Sequence, residues 1–434
     1  MRALLASLVC LILTVPASAN DTHVTDVQFA LTVLEKNCGR FFEIKKIDWP
    51  VVSKQFLEES KSVKTDQDHL VLLTRLLARL KDGHAHVRAL DKGKDVKWPE
   101  DFSTRTGPGM FLCRIGDGIY VKNSFAAARG AGVRPGMQVV KIDGKPTRDW
   151  LDAKIKETSD ITGFSTDQQA LFHAFHWGLG APAGSKMTLE LKDPAGKILG
   201  TRITYQPRVS TVPEGPAFFP PQMKGNKDVR WAQLPSGVGY VHVRRCPGNL
   251  PEIMDEALAA IGDAPGLILD FRANGGGGFD HNALMGRFIP QGKTMRFAKA
   301  YASAGPKPYG GPVVVIIDAG VRSAGETASG MFKEDGRAYT IGESPTAGMS
   351  SGKTTINLPS GLFSLYVSVS SNMGRFNNGK GIEGIGVPPD EVVEYAPRDL
   401  AGEIDTLTRR AEALLGNFPK DKVRYDSNDF GWSK

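Results

Sequence analysis

Residues 311–332 read GPVVVIIDAGVRSAGETASGMF, and the way this stretch divides decides the fold. The apolar run Val313 to Ile317 predicts a buried strand, and Ala324 to Phe332 predicts a helix. Ser323 therefore falls at a strand-to-helix turn. Its small neighbours let the backbone approach another molecule, and the amides that open the helix favour negative charge. A serine there is a candidate nucleophile, or simply a helix N-cap.

Upstream, GLILDF (266–271) reads as a second buried strand and runs into RANGGGGFD (272–280). The glycines Gly275 to Gly278 leave a loop of uncovered amides able to converge on one oxyanion. Two strand ends thus carry a nucleophile and an anion cradle, and serine chemistry further requires a base. Of the eight histidines, His23, His69, His173, His176 and His242 lie within predicted helices or strands and read as packing or surface residues. His84 differs. It sits in LKDGHAHV (80–87), at the Gly83 break that ends a helix whose leucines Leu70, Leu73, Leu76, Leu77 and Leu80 repeat at helical spacing. A neutral imidazole held on such a turn suits general-base work, and His86 is its rival.

The ordered set NGGG, SAGE, DGR, GESPTAG (342–348) and GIEGIGVPPD (381–390), with LKDGHAHV before them, resembles the C-terminal processing, tail-specific and tricorn-type serine proteases. The resemblance covers nearly the whole chain after its leader. It implies that Ser323 is the nucleophile, and that the oxyanion hole comes from Ala324 and Gly276, with a neighbouring glycine as the alternative. The processing branch takes its base from a lysine, but TAGMS (346–350) has Met349 at that position, and Lys353 lies several residues further on. The chain is accordingly closer to the tricorn-type branch, whose histidine base and orienting glutamate resemble His84 and Glu383. The hydroxyl that can precede that histidine is absent, because the residue is Gly83. Asp280 and His281 are expected to line a substrate groove.

The expected fold class is multidomain α/β. The opening MRALLASLVCLILTVPASAN reads as a secretory signal peptide, residues 1–19, and implies a secreted or periplasmic enzyme. Residues 20–104 read as a helical domain that delivers His84. Residues 105–210 read as short strands between Gly, Asp and Pro turns and resemble a PDZ domain, with a helical insertion from Trp150 to Leu179 and a peptide-binding candidate at Gly109, Met110, Phe111 and Leu112. Residues 228–395 alternate strands and helices, and the resemblance implies a crotonase-like ββα protease core there; residues 396–434 form a helical tail.

Lys and Arg outnumber Asp and Glu to give a formal charge of +7, but without dense basic tracts, so nucleic acid is not an expected partner. No apolar run after the leader reaches the ~20 residues that span a bilayer. Cys38, Cys113 and Cys246 remain after the leader, an odd number lacking metal-ligand spacing, so neither a disulfide framework nor a metal cofactor is expected. The expected function is a cofactor-free serine-type peptidase acting on peptides or proteins. The alternative is a non-catalytic relative that binds peptides or apolar ligands.

Overall fold

The computed structural model describes residues 19–100, 104–296 and 300–423; the leader read from residues 1–19 lies almost wholly outside them. The molecule is mixed α/β with several sheets. Its central sheet has seven strands. The strands Gly239–Val243, Leu267–Asp270, Val313–Ile317, Tyr339–Gly342 and Glu391–Val392 run parallel, and Lys224–Gly225 and Val229–Gln233 extend the sheet antiparallel at one edge. The apolar runs that predicted these strands are fully buried because helices cover both faces. On one side Leu250–Ile261 and Ala324–Glu334 pack on Val241, Leu269, Val315 and Ile317; on the other, Thr406–Gly416 packs near Ile268, Val314 and Ile316.

Neighbouring parallel strands put their carboxyl ends side by side. Asp270 pairs with Ile316, so the glycine loop leaving one strand lies beside the turn leaving the other. This pairing brings the two halves of the site together.

The amino-terminal helices Ala19–Cys38, Trp49–Ser60 and Asp66–Ala78 match the predicted helical segment. Their core is completed from far along the chain: Leu358, Phe363, Leu365 and Val367 pack against Leu34, Phe56, Leu73 and Leu76. The strand His86–Ala89 pairs antiparallel with Phe363–Ser371, which pairs with Ser351–Asn357. The turn before His86 and the strand carrying Lys353 are consequently parts of one substructure.

A third sheet, containing Met110–Ile115, Gly118–Ser124, Gln138–Ile142, Lys186–Lys192 and Ile198–Thr204, occupies the region expected to be β-rich. The helices Thr147–Ser159 and Asp167–Phe175 form the predicted insertion. Met110–Ile115 is an edge strand, and Met110, Phe111 and Leu112 are buried. The Gly109 carbonyl accepts from the Phe125 amide at 2.7 Å, and φ of 87° at Gly109 places a turn ahead of that edge. Beside the edge, Leu112 and the helix residues Phe172, Phe175 and His176 line a cavity of about 420 Å³. Cys38, Cys113 and Cys246 are all free and buried, which leaves cohesion to packing. Among the described residues no helix is long and apolar enough to cross a membrane.

Candidate active site

Ser323 caps the helix Ala324–Glu334 at φ 54° and ψ −125°, a conformation that costs a serine on the order of 1–3 kcal/mol and persists only where its surroundings dictate it. They do so here. The Arg322 amide donates to the Asn274 carbonyl at 3.1 Å, and the Ser323 amide reaches both the Met349 carbonyl and Glu326 Oε2 at 3.2 Å. Glu326 is fully buried and also accepts from Thr346 Oγ1 and the amides of Gly348 and Met349, at 2.6 to 2.9 Å. Burial pushes its carboxyl up to about 8, against the pull of those donors. The glutamate of SAGE is thus a strut beneath the Ser323 turn.

The glycine loop backs directly onto this turn. A Cβ on Gly276 would stand 2.8 Å from Ser323 Cβ, which explains why that position carries none. The Gly276 amide, however, donates to Asn274 Oδ1 at 2.8 Å, so the expectation that it faces an oxyanion is corrected: the asparagine of NGGG consumes it. Gly278 and Gly275 donate to the Cys246 and Arg244 carbonyls. Gly277, exposed at φ 150°, and Ala324, in the first turn of the helix, are left with amides that have no hydrogen-bond partner among the described residues.

His84 and His86 separate clearly. His86 lies on a strand with both ring nitrogens engaged, Nδ1 by the His84 carbonyl at 2.8 Å and Nε2 by Arg88 Nε at 2.9 Å. The His84 ring has no hydrogen bond, and its buried Nδ1 lies 4.0 Å from Asp82 Oδ1. Asp82 also accepts from the His84 amide at 2.9 Å and from the Ser368 amide at 3.2 Å, tying the turn to the sheet. Burial, reinforced by the Lys353 ammonium, holds the His84 imidazole down to about 4.

Lys353 is the group found next to the Ser323 hydroxyl, its Nζ donating to Oγ at 3.5 Å. A bulge between Gly352 and Lys353 marks its place on the strand, so spacing from TAGMS could not locate it. Burial lowers its ammonium.

Glu383 is not solvated, and it does not reach the His84 ring. Its Oε1 accepts from Lys45 Nζ at 2.6 Å and from Ser165 Oγ at 3.2 Å, with both members of the ion pair fully buried. Burial pushes its carboxyl up, against Lys45. No motif points to either partner, since Lys45 lies in a charged turn and Ser165 just before the helix Asp167–Phe175. Ser165 Oγ in turn accepts the Gly83 amide at 3.2 Å. Ser165 thus links Glu383 to the backbone of the turn before His84 and not to the imidazole. A Cβ on Gly83 would lie 2.5 Å from Gln169 Nε2 and 2.8 Å from Met349 Sδ, leaving no room for a serine. Asp280 and His281 are corrected from groove lining: Asp280 caps the helix His281–Gly286, and His281 Nε2 meets Thr327 Oγ1 at 3.0 Å.

Residues 237–393 match the model of peptidase family S41. The similarity to that family is carried by this stretch of the chain. The chain is 26% identical over 309 residues to the chloroplastic C-terminal processing peptidase of Tetradesmus obliquus, covering 66% of this chain and 59% of that protein. It is 25% identical to the carboxyl-terminal-processing protease of Picosynechococcus sp., across 37% of this chain and 40% of that one. The chain therefore spans well under two thirds of the curated relatives it matches. The crystal structure of mature CPAF superposes with a TM-score of 0.63 at 13% identity, covering 92% of this chain and 98% of that one, so the fold is shared.

The Glu383–Lys45 pair has a measurable consequence. Glu383→Gln strands a buried ammonium, which typically costs about 3–5 kcal/mol, whereas Glu383→Gln with Lys45→Met removes both charges and should recover most of that loss. Urea unfolding decides it; a double variant no more stable than the single one contradicts the pairing.

Proposed function

We propose that the protein is a serine peptidase in which Ser323 Oγ is the nucleophile and His84 the base. The observation that carries this reading is the strained Ser323 turn, set against two unpartnered amides, with the His84 imidazole, free of hydrogen bonds among the described residues, in the field of the Lys353 that meets the Ser323 hydroxyl. Ser323 Oγ bonds to the scissile carbonyl carbon as its proton passes to His84 Nε2, the nitrogen not enclosed toward Asp82. The amides of Gly277 and Ala324 receive the developing oxyanion. His84 returns the proton to the leaving amine, and water then hydrolyses the acyl-enzyme by the same relay. An imidazole that is neutral at pH 7 begins the cycle ready to accept a proton. Glu383 contributes through Ser165, which holds the Gly83 amide and with it the turn that aims His84.

The 3.5 Å contact to Ser323 favours a second reading, in which deprotonated Lys353 is itself the base. In the first reading its ammonium favours the serine alkoxide and keeps His84 neutral.

We further read residues 105–210 as a PDZ-like domain, with Gly109 to Leu112 as its peptide-binding edge beside the cavity at Phe172 and Phe175, and residues 228–395 as a crotonase-like core. The amino-terminal pattern supports secretion or a periplasmic location. These assignments rest on strand order, the edge position of the strand Met110–Ile115 and the parallel α/β sheet.

Ser323→Ala should fold normally and lose peptide hydrolysis by several orders of magnitude, as triad deletions do. Unchanged hydrolysis by the folded variant contradicts the assignment. The bases separate by pH. With His84 as base, kcat/KM rises with pH through a limb near 4, where its imidazole loses its proton, and His84→Ala is inactive. Lys353→Met then retains activity, and its limb moves to higher pH because a cation that disfavoured imidazolium is gone. A limb above neutrality, lost in Lys353→Met and kept in His84→Ala, establishes the lysine instead.

A further inference from the structure

Beside the nucleophile lies a cavity of about 280 Å³, bounded by Gly83 and Arg322, the immediate neighbours of His84 and Ser323. Its walls are the rings of Phe164, Phe172, His173 and Trp177. This volume suits a single amino-acid side chain or chain end.

Arg322 is the cation among these walls, which Thr162, Gln169 and small residues complete. Its guanidinium stands 5.2 Å from the centre of the Trp177 ring, which stacks on His173 at 5.8 Å. Stacking fixes the plane of the guanidinium without using its N–H donors. Among the described residues the Arg322 side chain has no hydrogen bond and no ion pair. Other enclosed arginines are handled differently: Arg272 is paired with Asp270 and Asp405, Arg287 with Asp255, and Arg337 is bonded to the carbonyls of Phe288, Tyr309 and Gly311.

The surroundings add more positive charge. A Cβ on Gly275 would lie 3.6 Å from the guanidinium nitrogens of both Arg244 and Arg245. Arg244 bonds only to the Ala273 and Pro213 carbonyls, and Arg245 has no ion pair among the described residues. Burial, followed by repulsion from Arg244 and Arg245, lowers the Arg322 guanidinium. Asp318 and Glu326 pull the other way, but neither forms an ion pair with it among the described residues, and a half-buried cation without a direct partner is costly. An incoming carboxylate relieves that repulsion and takes two parallel N–H donors, the geometry that guanidinium offers best.

We propose that Arg322 and the aromatic cavity beside it recognise a carboxylate of the substrate, carried either on an acidic side chain next to the scissile bond or at the end of the substrate chain. The proposal rests on the peptidase reading for the word substrate, but the recognition itself is a binding property. Arg322 then sets which peptides dock at Ser323, and Arg244 and Arg245 attract the same anion from solution.

The test measures binding to the folded Ser323→Ala protein, so that hydrolysis plays no part. The probes are two matched pairs: acetyl-Ala-Ala-Glu-amide against acetyl-Ala-Ala-Gln-amide, and acetyl-Ala-Ala-Ala with a free carboxyl end against its amide. By calorimetric titration, the acid of at least one pair should bind about tenfold to a hundredfold more tightly than its neutral partner, as a charge-assisted hydrogen bond provides. Preference confined to the glutamate pair identifies the side chain as the source; preference confined to the second pair identifies the chain end. Arg322→Gln should bring the ratio near one while the neutral peptides bind as before, and Arg322→Lys should keep a reduced preference. Melting curves check that both variants fold, which is expected because Arg322 gives up no ion pair. Acid and amide bound equally, or neither bound measurably, overturns the proposal, as does a preference that survives Arg322→Gln. Selective binding by a protein that hydrolyses no peptide would leave the carboxylate site standing and remove only the peptidase reading.

Discussion

The strained backbone at Ser323 is the constraint from which the other features of the site follow. A serine holds φ 54° and ψ −125° only while several partners enforce it, and here they come from three separate segments. The Asn274 carbonyl fixes Arg322, the Met349 carbonyl fixes the Ser323 amide, and buried Glu326 ties that amide to Thr346, Gly348 and Met349. The Asn274 contact depends on the parallel pairing of Leu267–Asp270 with Val313–Ile317, and the contacts at 346–349 on the pairing of Val313–Ile317 with Tyr339–Gly342. Loss of the first register would release the Ser323 turn and the glycine loop together.

Charge around this turn is arranged with equal economy. Glu326 and Glu383 are both buried and are held in different ways: Glu326 by amides and a hydroxyl at both oxygens, Glu383 at Oε1 by the Lys45 ammonium and the Ser165 hydroxyl, while its Oε2 has no hydrogen-bond partner among the described residues. Neither touches the imidazole. His84 is steered through its backbone, by Asp82 at its own amide and by Ser165 at the amide of Gly83, and its ring stays free of hydrogen bonds. Lys353 completes the arrangement from a sheet that also contains His86–Ala89, so the turn at His84 and the Lys353 cation share one support.

The central strands, the helix after Ser323, the helical start and the turn at His84 were legible because apolar periodicity and glycine breaks are local signals. The distinction between His84 and His86 was not, since it depends on Arg88 and on a strand more than 270 residues away. Gly276 looked like the oxyanion donor because glycine composition cannot reveal that Asn274 takes its amide. Glu383 is buried and not a solvated loop carboxylate, and its partners Lys45 and Ser165 lie 338 and 218 residues away and carry no motif. Lys353 was discounted by linear spacing, and a β-bulge moved it to the serine. The residues missed are those whose roles arise from tertiary contact alone.

The central claim is that the Ser323 hydroxyl is chemically activated by its setting. The most direct measurement treats the folded protein with a fluorophosphonate, which forms a covalent phosphonyl ester with an activated serine, and locates the adduct by peptide mass spectrometry. The account predicts one adduct, on Ser323, abolished in Ser323→Ala and strongly slowed in His84→Ala. A folded protein that remains unlabelled, or one labelled at other serines at the same rate, would contradict it.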